Sequence, residues 1–562
     1  SEKDPLGNLT QYQYNNHKQV LTVTDARNNV TTNQYDANGN LSLTTDAALN
    51  STVTTYTGSG LPLTVTDAMH NVTQFQYDAN GNLTQQTDVL GHVSAYTYDQ
   101  NGNKLTQTVT RTVNSVPQQL TTQYQYDGSG RLVKTTNHDV SSTQSQYDAD
   151  GRLAVSMDAL GHQTKYTYDD AGRRTRTDYA DGSKDQTQYD TFGNRFSFID
   201  RDGLFSDNRY DAQNRPTGMD YPDGTTTNTV YDVAGQATST ISRAGVTTTF
   251  VYDDAGRRIQ TIDALHNLTQ FAYDAAGNQS SVTDAKSHAT QYVYDALNRR
   301  TGTIYPDTST DSTTYDVLGR VSQKTDQAGK VTQYGYDTLG RLTSVTQDSV
   351  AGGLNLVTQY GYDELGNRIS QTDANNHTTS YAYDQLGRRI MRTLPLGQFE
   401  TYAYDAAGNL QSKTDFNGKT TTYAYDANNR LTTKTPDASF NAPPVAFTYS
   451  PTGLRLSMTD ASGTTQYTYS AGMPRTKATP FGTLNYQYFG GQLLTLGSGN
   501  TNGVNLDYSY DGDGRLAQVT DVRNLAQLQT NYTYDAVGNL ATVQYGNGVT
   551  TSYSYDALNR LT

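Results

Sequence analysis

The stretch YDANGN at residues 35–40 recurs at 77–82 and returns, slightly altered, as YDQNGN at 98–103, YDGSGR at 126–131 and YDADGR at 147–152. Tyr14, Tyr35, Tyr56, Tyr77 and Tyr98 stand 21 residues apart. The same step resumes at Tyr126 and holds to Tyr336, runs again from Tyr362 to Tyr425, and returns at Tyr510, Tyr534 and Tyr555. With degenerate copies at Tyr449, Tyr469 and Tyr488, the chain carries 26 units.

The position three after the Asp decides the local structure. In the 21 units that read Tyr-Asp it is Gly seventeen times and Asn four times, at Asn214, Asn298, Asn429 and Asn559. Gly and Asn are the residues that tolerate positive φ, and an Asp that opens a turn can bond its own backbone two residues on. The spacing therefore predicts a type I turn closed by a left-handed residue, the bulged hairpin connection. A second turn with the same grammar falls half a period away, in TDVLGH (87–92), MDALGH (157–162), TDQAGK (325–330) and TDFNGK (414–419). Between turns, TQYQYD (122–127) and KYTYD (165–169) alternate Tyr with Thr or Gln, the period of a strand. Each unit reads strand, turn, strand, turn, and helical spacing is absent.

Composition sets the class. Hydrophobic residues make up 34% and Trp is absent, yet there are 45 Tyr and 48 Gly. That is too apolar-poor for a thick core, while the abundance of Tyr, Thr and Val argues against disorder and for half-buried strands. The net charge of −14 disfavours nucleic acid as a partner, which demands a concentration of Lys and Arg. No apolar run reaches the roughly 20 residues of a membrane helix. The lack of Cys excludes disulfides and thiolate metal sites and leaves the redox compartment open. Ser1 is not a natural start and Thr562 falls just past a turn, so the chain is expected to be part of something longer.

Hairpins repeated without break make an all-β antiparallel meander. Some 52 strands at about 4.8 Å spacing stretch on the order of 250 Å. Open sheets of that length curl, and coiling lets successive turns protect each other's edges. Rolled to a height of ~50 Å, the ribbon gives an outer diameter of ~40 Å and a lumen ~30 Å across. A filled solenoid is the competing architecture, but aliphatic residues are too few to fill it. The expectation is a spiralling hollow β-shell: regular repeats over 1–430 with one long loop inserted near 107–123, irregular repeats over 431–505 forming a corner or lid, and regular repeats again over 506–562. The irregular stretch carries NAPPVAF and AGMPRTKATPFG, and Pro belongs at edges or breaks of a ladder.

The motif [YF]-D-x-x-G-[RN]-L, present as YDANGNL, YDGSGRL, YDADGRL, YDTLGRL and YDAVGNL, closely resembles the Rhs/YD-repeat family. Members include Rhs polymorphic toxins, cocoon-forming components of Tc toxins, wall-associated proteins and teneurins. The resemblance implies a non-enzymatic shell, secreted or at the cell surface of a bacterium, that encapsulates a C-terminal toxin or effector polypeptide and engages secretion machinery. The alternative it leaves open is an extracellular structural or adhesive protein that self-associates or binds carbohydrate. Cargo-releasing shells of the family end in an aspartyl self-cleavage motif with Asp-Pro. The only Asp-Pro here is Asp4-Pro5, ten residues before Tyr14, which is the slot of the second turn.

Candidate chemistry is sparse. His70, His92, His162, His266, His288 and His377 each fall three or four residues after a second-turn Asp. A zinc site needs three or four convergent ligands, and these are read as polar turn residues. DGDGR (511–515) resembles the start of a calcium loop but lacks the other ligands, so Asp511 and Gly514 are read as the repeat's turn pair. The tyrosines can stack on sugars or pack across strands, and packing is the expected role. An active site needs unique residues and these come in 20-odd copies, so no catalytic, cofactor-binding or metal site is expected. Turn glycines such as Gly151 and Gly340 are expected to limit stability, with Val costly there and Asn mild, as Asn298 and Asn429 suggest.

Overall fold

The computed structural model describes residues 1–113, 116–500, 502–523 and 528–562. Among them are 52 strands in one sheet and a single helical turn, the 3-10 segment Ala438–Phe440. Each strand pairs antiparallel with the next in sequence, from Glu2–Lys3 onward to Thr550–Ser552.

One unit shows why. Val30–Tyr35 pairs with Leu41–Thr45 through Thr32↔Thr45, Asn33↔Thr44 and Gln34↔Leu43, then shifts register to place Tyr35 against Leu41. The shift is the bulge that the sequence spacing demands. Across the turn, the Gly39 N–H donates to the Asp36 carbonyl at 3.0 Å and the Asp36 N–H to the Asn40 carbonyl at 2.9 Å. Gly39 sits at φ 85°, and Asn214, Asn298, Asn429 and Asn559 sit at φ 60–61°, the left-handed region assigned to them.

The inserted segment corrects an expectation. Residues 107–113 and 116–123 lie in strands and not in a loop. Lys104–Val113 and Val116–Tyr126 are strands of 10 and 11 residues, paired from Thr106↔Gln123 to Val113↔Val116. The extra residues keep the period-2 alternation of their neighbours, so they add rungs to an existing hairpin. Residues 114 and 115 lie outside the described residues. In the 431–505 stretch the ladder is also unbroken. Gly463–Ser470, Met473–Thr479, Gly482–Phe489 and Gln492–Ser498 are long strands joined by two-residue turns. Ala471 and Gly472, at φ 49° and 80°, and Gly490 and Gly491, at φ 58° and 86°, have both central residues at positive φ, as tight hairpin turns require.

The ribbon coils on itself. Arg430 reaches Asp181 and Ser450 reaches Asp202, 249 and 248 residues away. That separation is close to twelve repeat periods, or about 24 strands per wrap. At about 4.8 Å per strand the wall closes on a circumference of ~115 Å, a mid-wall diameter of ~37 Å, with a little over two wraps. Leu120 and Val543 are the only buried hydrophobic side chains among the described residues. Nothing of the wall's own fills a ring of that width. The architecture is a spiralling hollow β-shell.

Candidate functional site

The features that build the shell lie at the two edges of the ribbon. At the Tyr-Asp edge, Asp36 Oδ1 accepts the N–H groups of Asn38 and Asn40, each at 2.9 Å, and Oδ2 accepts the Asn40 side-chain amide at 2.9 Å. The side-chain bond from Asn40, joined by the backbone bonds, holds the Asp36 carboxyl below the usual carboxylate range. Asn82 and Asn103 donate in the same way to Asp78 and Asp99 and lower those carboxyls too.

Where Arg takes that position it also ties one hairpin to the next. Arg152 Nε donates to Asp148 Oδ2 at 2.7 Å, its Nη1 donates to the Asp169 carbonyl at 3.2 Å, and its guanidinium lies 5.1 Å from the Tyr168 ring centre. The Tyr168 hydroxyl in turn donates to the Leu153 carbonyl at 2.8 Å. The same Tyr-to-carbonyl bond recurs at Tyr35, Tyr231 and Tyr404, among others, 15 residues back in the 21-residue units. Consecutive hairpins share only three ladder pairs, as between Leu153–Met157 and Gln163–Tyr168. The tyrosine hydroxyl caps a carbonyl that this short ladder leaves open.

Asn in place of Gly follows a rule of its own. Each of the four left-handed Asn residues of the Tyr-Asp turns accepts a bond from an Asn of the preceding unit: Asn194 to Asn214, Asn278 to Asn298, Asn409 to Asn429 and Asn539 to Asn559, at 2.8–2.9 Å. Units preceded by Arg keep Gly, and at Gly151 an added Cβ would stand 3.0 Å from Arg131 Nη1. A Cβ at Gly151 therefore meets the end of the flexible Arg131 side chain, which has to give way before Asn fits there.

The opposite edge meets the next wrap. Second turns of one wrap dock on Tyr-Asp turns of the following one: Asp139 on Arg388 at 3.9 Å, Asp181 on Arg430 at 3.2 Å and Asp307 on Arg560 at 3.5 Å. The lengthened hairpin crosses the seam. Arg111 Nη2 donates to the Tyr383 carbonyl at 3.0 Å and the Thr112 N–H to Glu364 Oε2 at 3.0 Å. No strand of one wrap pairs with a strand of another among the described residues; side chains and turn backbone make the seam.

The histidines are distributed through these turns. His70 and His266 occupy left-handed positions at φ 64° and 67°. His92 and His162 place Nδ1 against Asp88 and Asp158 at 2.8 and 3.0 Å, and His288 and His377 against Asp284 and Asp373 at 3.3 and 3.4 Å. His70 and His266 thus take the slot of the turn Gly, and the other four the slot that Asn or Arg holds elsewhere. Among the described residues no group of three or more His, Cys, Asp or Glu is placed to hold a metal ion. Asp511 and Gly514 close an ordinary turn, with the Gly514 N–H on the Asp511 carbonyl at 2.9 Å. Asp4 accepts the Gly7 N–H at 2.9 Å and the Asn8 N–H at 2.8 Å, so Asp4-Pro5 is a turn as well.

The repeated corner of Tyr, Asp, left-handed Gly and bridging Arg or Asn is what a family comparison reads. The sequence matches the RHS Repeat over 56–113, 147–184, 231–268, 273–310, 315–353, 362–398, 404–439 and 530–562, more than half of the chain. The chain belongs to the RHS repeat family. No curated protein matches it. Among solved structures it is similar to the crystal structure of TcdB2-TccC3-Cdc42, at 16% identity and a TM-score of 0.57, covering 98% of this chain and 35% of that one. TcdB2-TccC3 without its hypervariable C-terminal region aligns at 16% identity and a TM-score of 0.51, covering 98% and 36%. The Photorhabdus luminescens Tc holotoxin pore aligns at 16% identity and a TM-score of 0.50, covering 98% and 35%. At these identities the likeness is one of fold, and the RHS chain spans about a third of the length of the solved chains it matches.

Proposed function

We propose that this RHS repeat chain is the wall of a shell that encloses a polypeptide effector during secretion and delivery, and that it acts without catalysis. The observation that carries the reading is the seam, which returns every 250 residues or so in a wall that buries only two hydrophobic side chains among the described residues. Allowing ~10 Å for the wall, the lumen is ~27 Å across. A compact chain of about 100 residues has a radius of gyration near 13 Å, so a cargo of that size enters elongated or unfolded. A hypervariable C-terminal region belongs to one of the solved relatives, and a variable segment is the kind of cargo proposed here. Secretion places the shell outside the bacterium, and secretion machinery is its second proposed partner.

The reading as an adhesive, sugar-binding surface protein is less well supported. The Tyr-Asp rings spend their hydroxyls on backbone carbonyls, and in the Arg-bearing units a guanidinium lies against the ring, 4.7 Å away at Tyr147 and Tyr231. Small-angle scattering with electron microscopy tests the proposal. A low-density interior surrounded by a β-wall is expected, and a dense rod without a lumen would overturn it in favour of a structural filament.

A further inference from the structure

One face of the second wrap differs from the first. Paired residues on antiparallel strands share a face, so the partner of the position two before each unit's tyrosine marks a fixed row along the sheet. In the fourteen units from Tyr14 to Tyr294 that row holds Val23, Thr44, Thr240 and similar residues, and no Lys or Arg. In the eight units from Tyr315 to Tyr469, five of the residues are cationic: Lys324, Arg392, Lys413, Lys434 and Lys477.

Arg392, Lys413 and Lys434 stand on successive hairpins, about 10 Å apart, each paired with a tyrosine: Tyr381, Tyr402 and Tyr423. Arg368 and Arg389 add charge to the same belt, 5.0 and 4.8 Å from the rings of Tyr381 and Tyr402. Opposing charge is nearly absent. In the strands from Thr310 to Phe489 the only acidic residues are Asp311, which accepts the Tyr305 hydroxyl, Glu400 and, at a strand end, Asp460. Glu400 engages Arg392 and Lys413, each at 2.9 Å, and no carboxylate among the described residues pairs with Lys324, Lys434 or Lys477. In a chain of net charge −14, a one-sided belt of this kind is a complement to negative charge.

We infer that this face of the second wrap is the docking surface for an acidic polypeptide segment. Its 10 Å step matches every third residue of an extended chain or every seventh of a helix, so carboxylates at those intervals meet successive cations. The inference rests on the enclosing role proposed above, for which it names the chemistry of the guest. The tyrosines offer apolar contact between the charges, and the belt is too sparse for the phosphates of a nucleic acid, which lie ~3.4 Å apart along each strand in duplex form.

The test uses a labelled poly-glutamate peptide of about 20 residues, added both to folded protein and before refolding from denaturant. Fluorescence anisotropy should show binding that weakens with salt, with no binding of poly-lysine. Lys413→Thr, Lys434→Thr and Lys477→Thr together install the residue type that the first wrap uses, and should weaken binding on the order of tenfold. Lys134→Thr with Lys165→Thr, on the opposite face, should leave it unchanged, and a thermal melt checks that each variant folds. Equal loss from both sets, no binding under either condition, or tighter binding of a single-stranded oligonucleotide would overturn the inference. A hollow particle that ignores the peptide sinks this inference alone, whereas peptide binding by a dense rod sinks the shell and leaves the surface.

Discussion

Arg111 places its guanidinium 3.1 Å from the carboxylate of Asp363, and each side chain is 5% exposed. The two belong to different wraps, and this is the most enclosed ion pair of the seam. Truncating one partner of such a pair leaves the other charge buried and alone, which costs about 3–5 kcal/mol. Arg111→Ala should therefore lower the thermal midpoint clearly. Arg111→Met with Asp363→Asn should recover part of the loss, because Asn removes the orphaned charge and keeps an oxygen for the N–H groups of Leu365 and Asn367 that close the turn. A single mutant that melts like the parent would show that the long hairpin contributes nothing to closing the shell.

Turn substitutions should obey the preceding unit. Gly387 follows Asn367, whose Oδ1 lies 3.1 Å from where a Cβ would stand, so Gly387→Asn can form the bond seen between Asn278 and Asn298. It should change stability by less than about 0.5 kcal/mol. Gly151→Asn meets Arg131 and should cost about 1 kcal/mol more, with Arg131→Asn relieving it in the double mutant. Val at either site should cost more than Asn, since a β-branched residue at positive φ is strained. Denaturant titration of the set decides between these outcomes.

Tyr168→Phe removes the hydroxyl from the Leu153 carbonyl, where the bond is 2.8 Å. A destabilisation of about 1 kcal/mol is expected from an acceptor left without its donor. Repeating the change at Tyr231 and Tyr315, whose hydroxyls meet the Pro216 and Arg300 carbonyls, should add nearly linearly, because these units are not neighbours in the array. Hydrogen exchange at the following strand would report the loosening locally.

The shell should tolerate neutral pH and fail at both extremes. The carboxyls of Asp36, Asp78 and Asp99 lie below their usual range because side-chain amides and backbone N–H groups bond the ionised form. A lowered folded pKa contributes stability that is present above the unfolded value of about 4 and is lost as pH falls through the folded value. Burial raises the hydroxyls of Tyr98, Tyr126 and Tyr336. That contribution is complete below about pH 10 and is lost as pH rises through the raised value. Circular dichroism across pH should show a plateau with two cooperative edges, and a single gradual slope would contradict the turn chemistry.

Much of this was legible in local spacing. Tyr, Asp and Gly at fixed offsets determine a hairpin through φ preferences and an Asp side-chain bond, neither of which needs distant residues. By length alone the 107–123 segment reads as a loop, whereas its alternation marks it as strand. Thr108, Thr110 and Thr112 interleave with Val109 and Arg111 just as regular strands do, and that signal was available. The role of Arg and Asn after the left-handed residue was also present, in the pairing of Asn194 with Asn214 and its three counterparts. The seam was not. That Asp181 meets Arg430 depends on how many strands the curvature admits per wrap, a sum of small twists that no short motif encodes.

Because wraps touch only through side chains and turn backbone, the wall is mechanically anisotropic. Along the ribbon, separating two neighbours means breaking a ladder of backbone bonds. Across the seam it means parting contacts such as Asp307 with Arg560 and Asp139 with Arg388, pairs that salt screens and water readily replaces. A load along the spiral axis should open a slit between coils, as a spring opens, while every hairpin stays folded. When the load is released the same contacts can re-form, because the ladders on either side of the slit are intact.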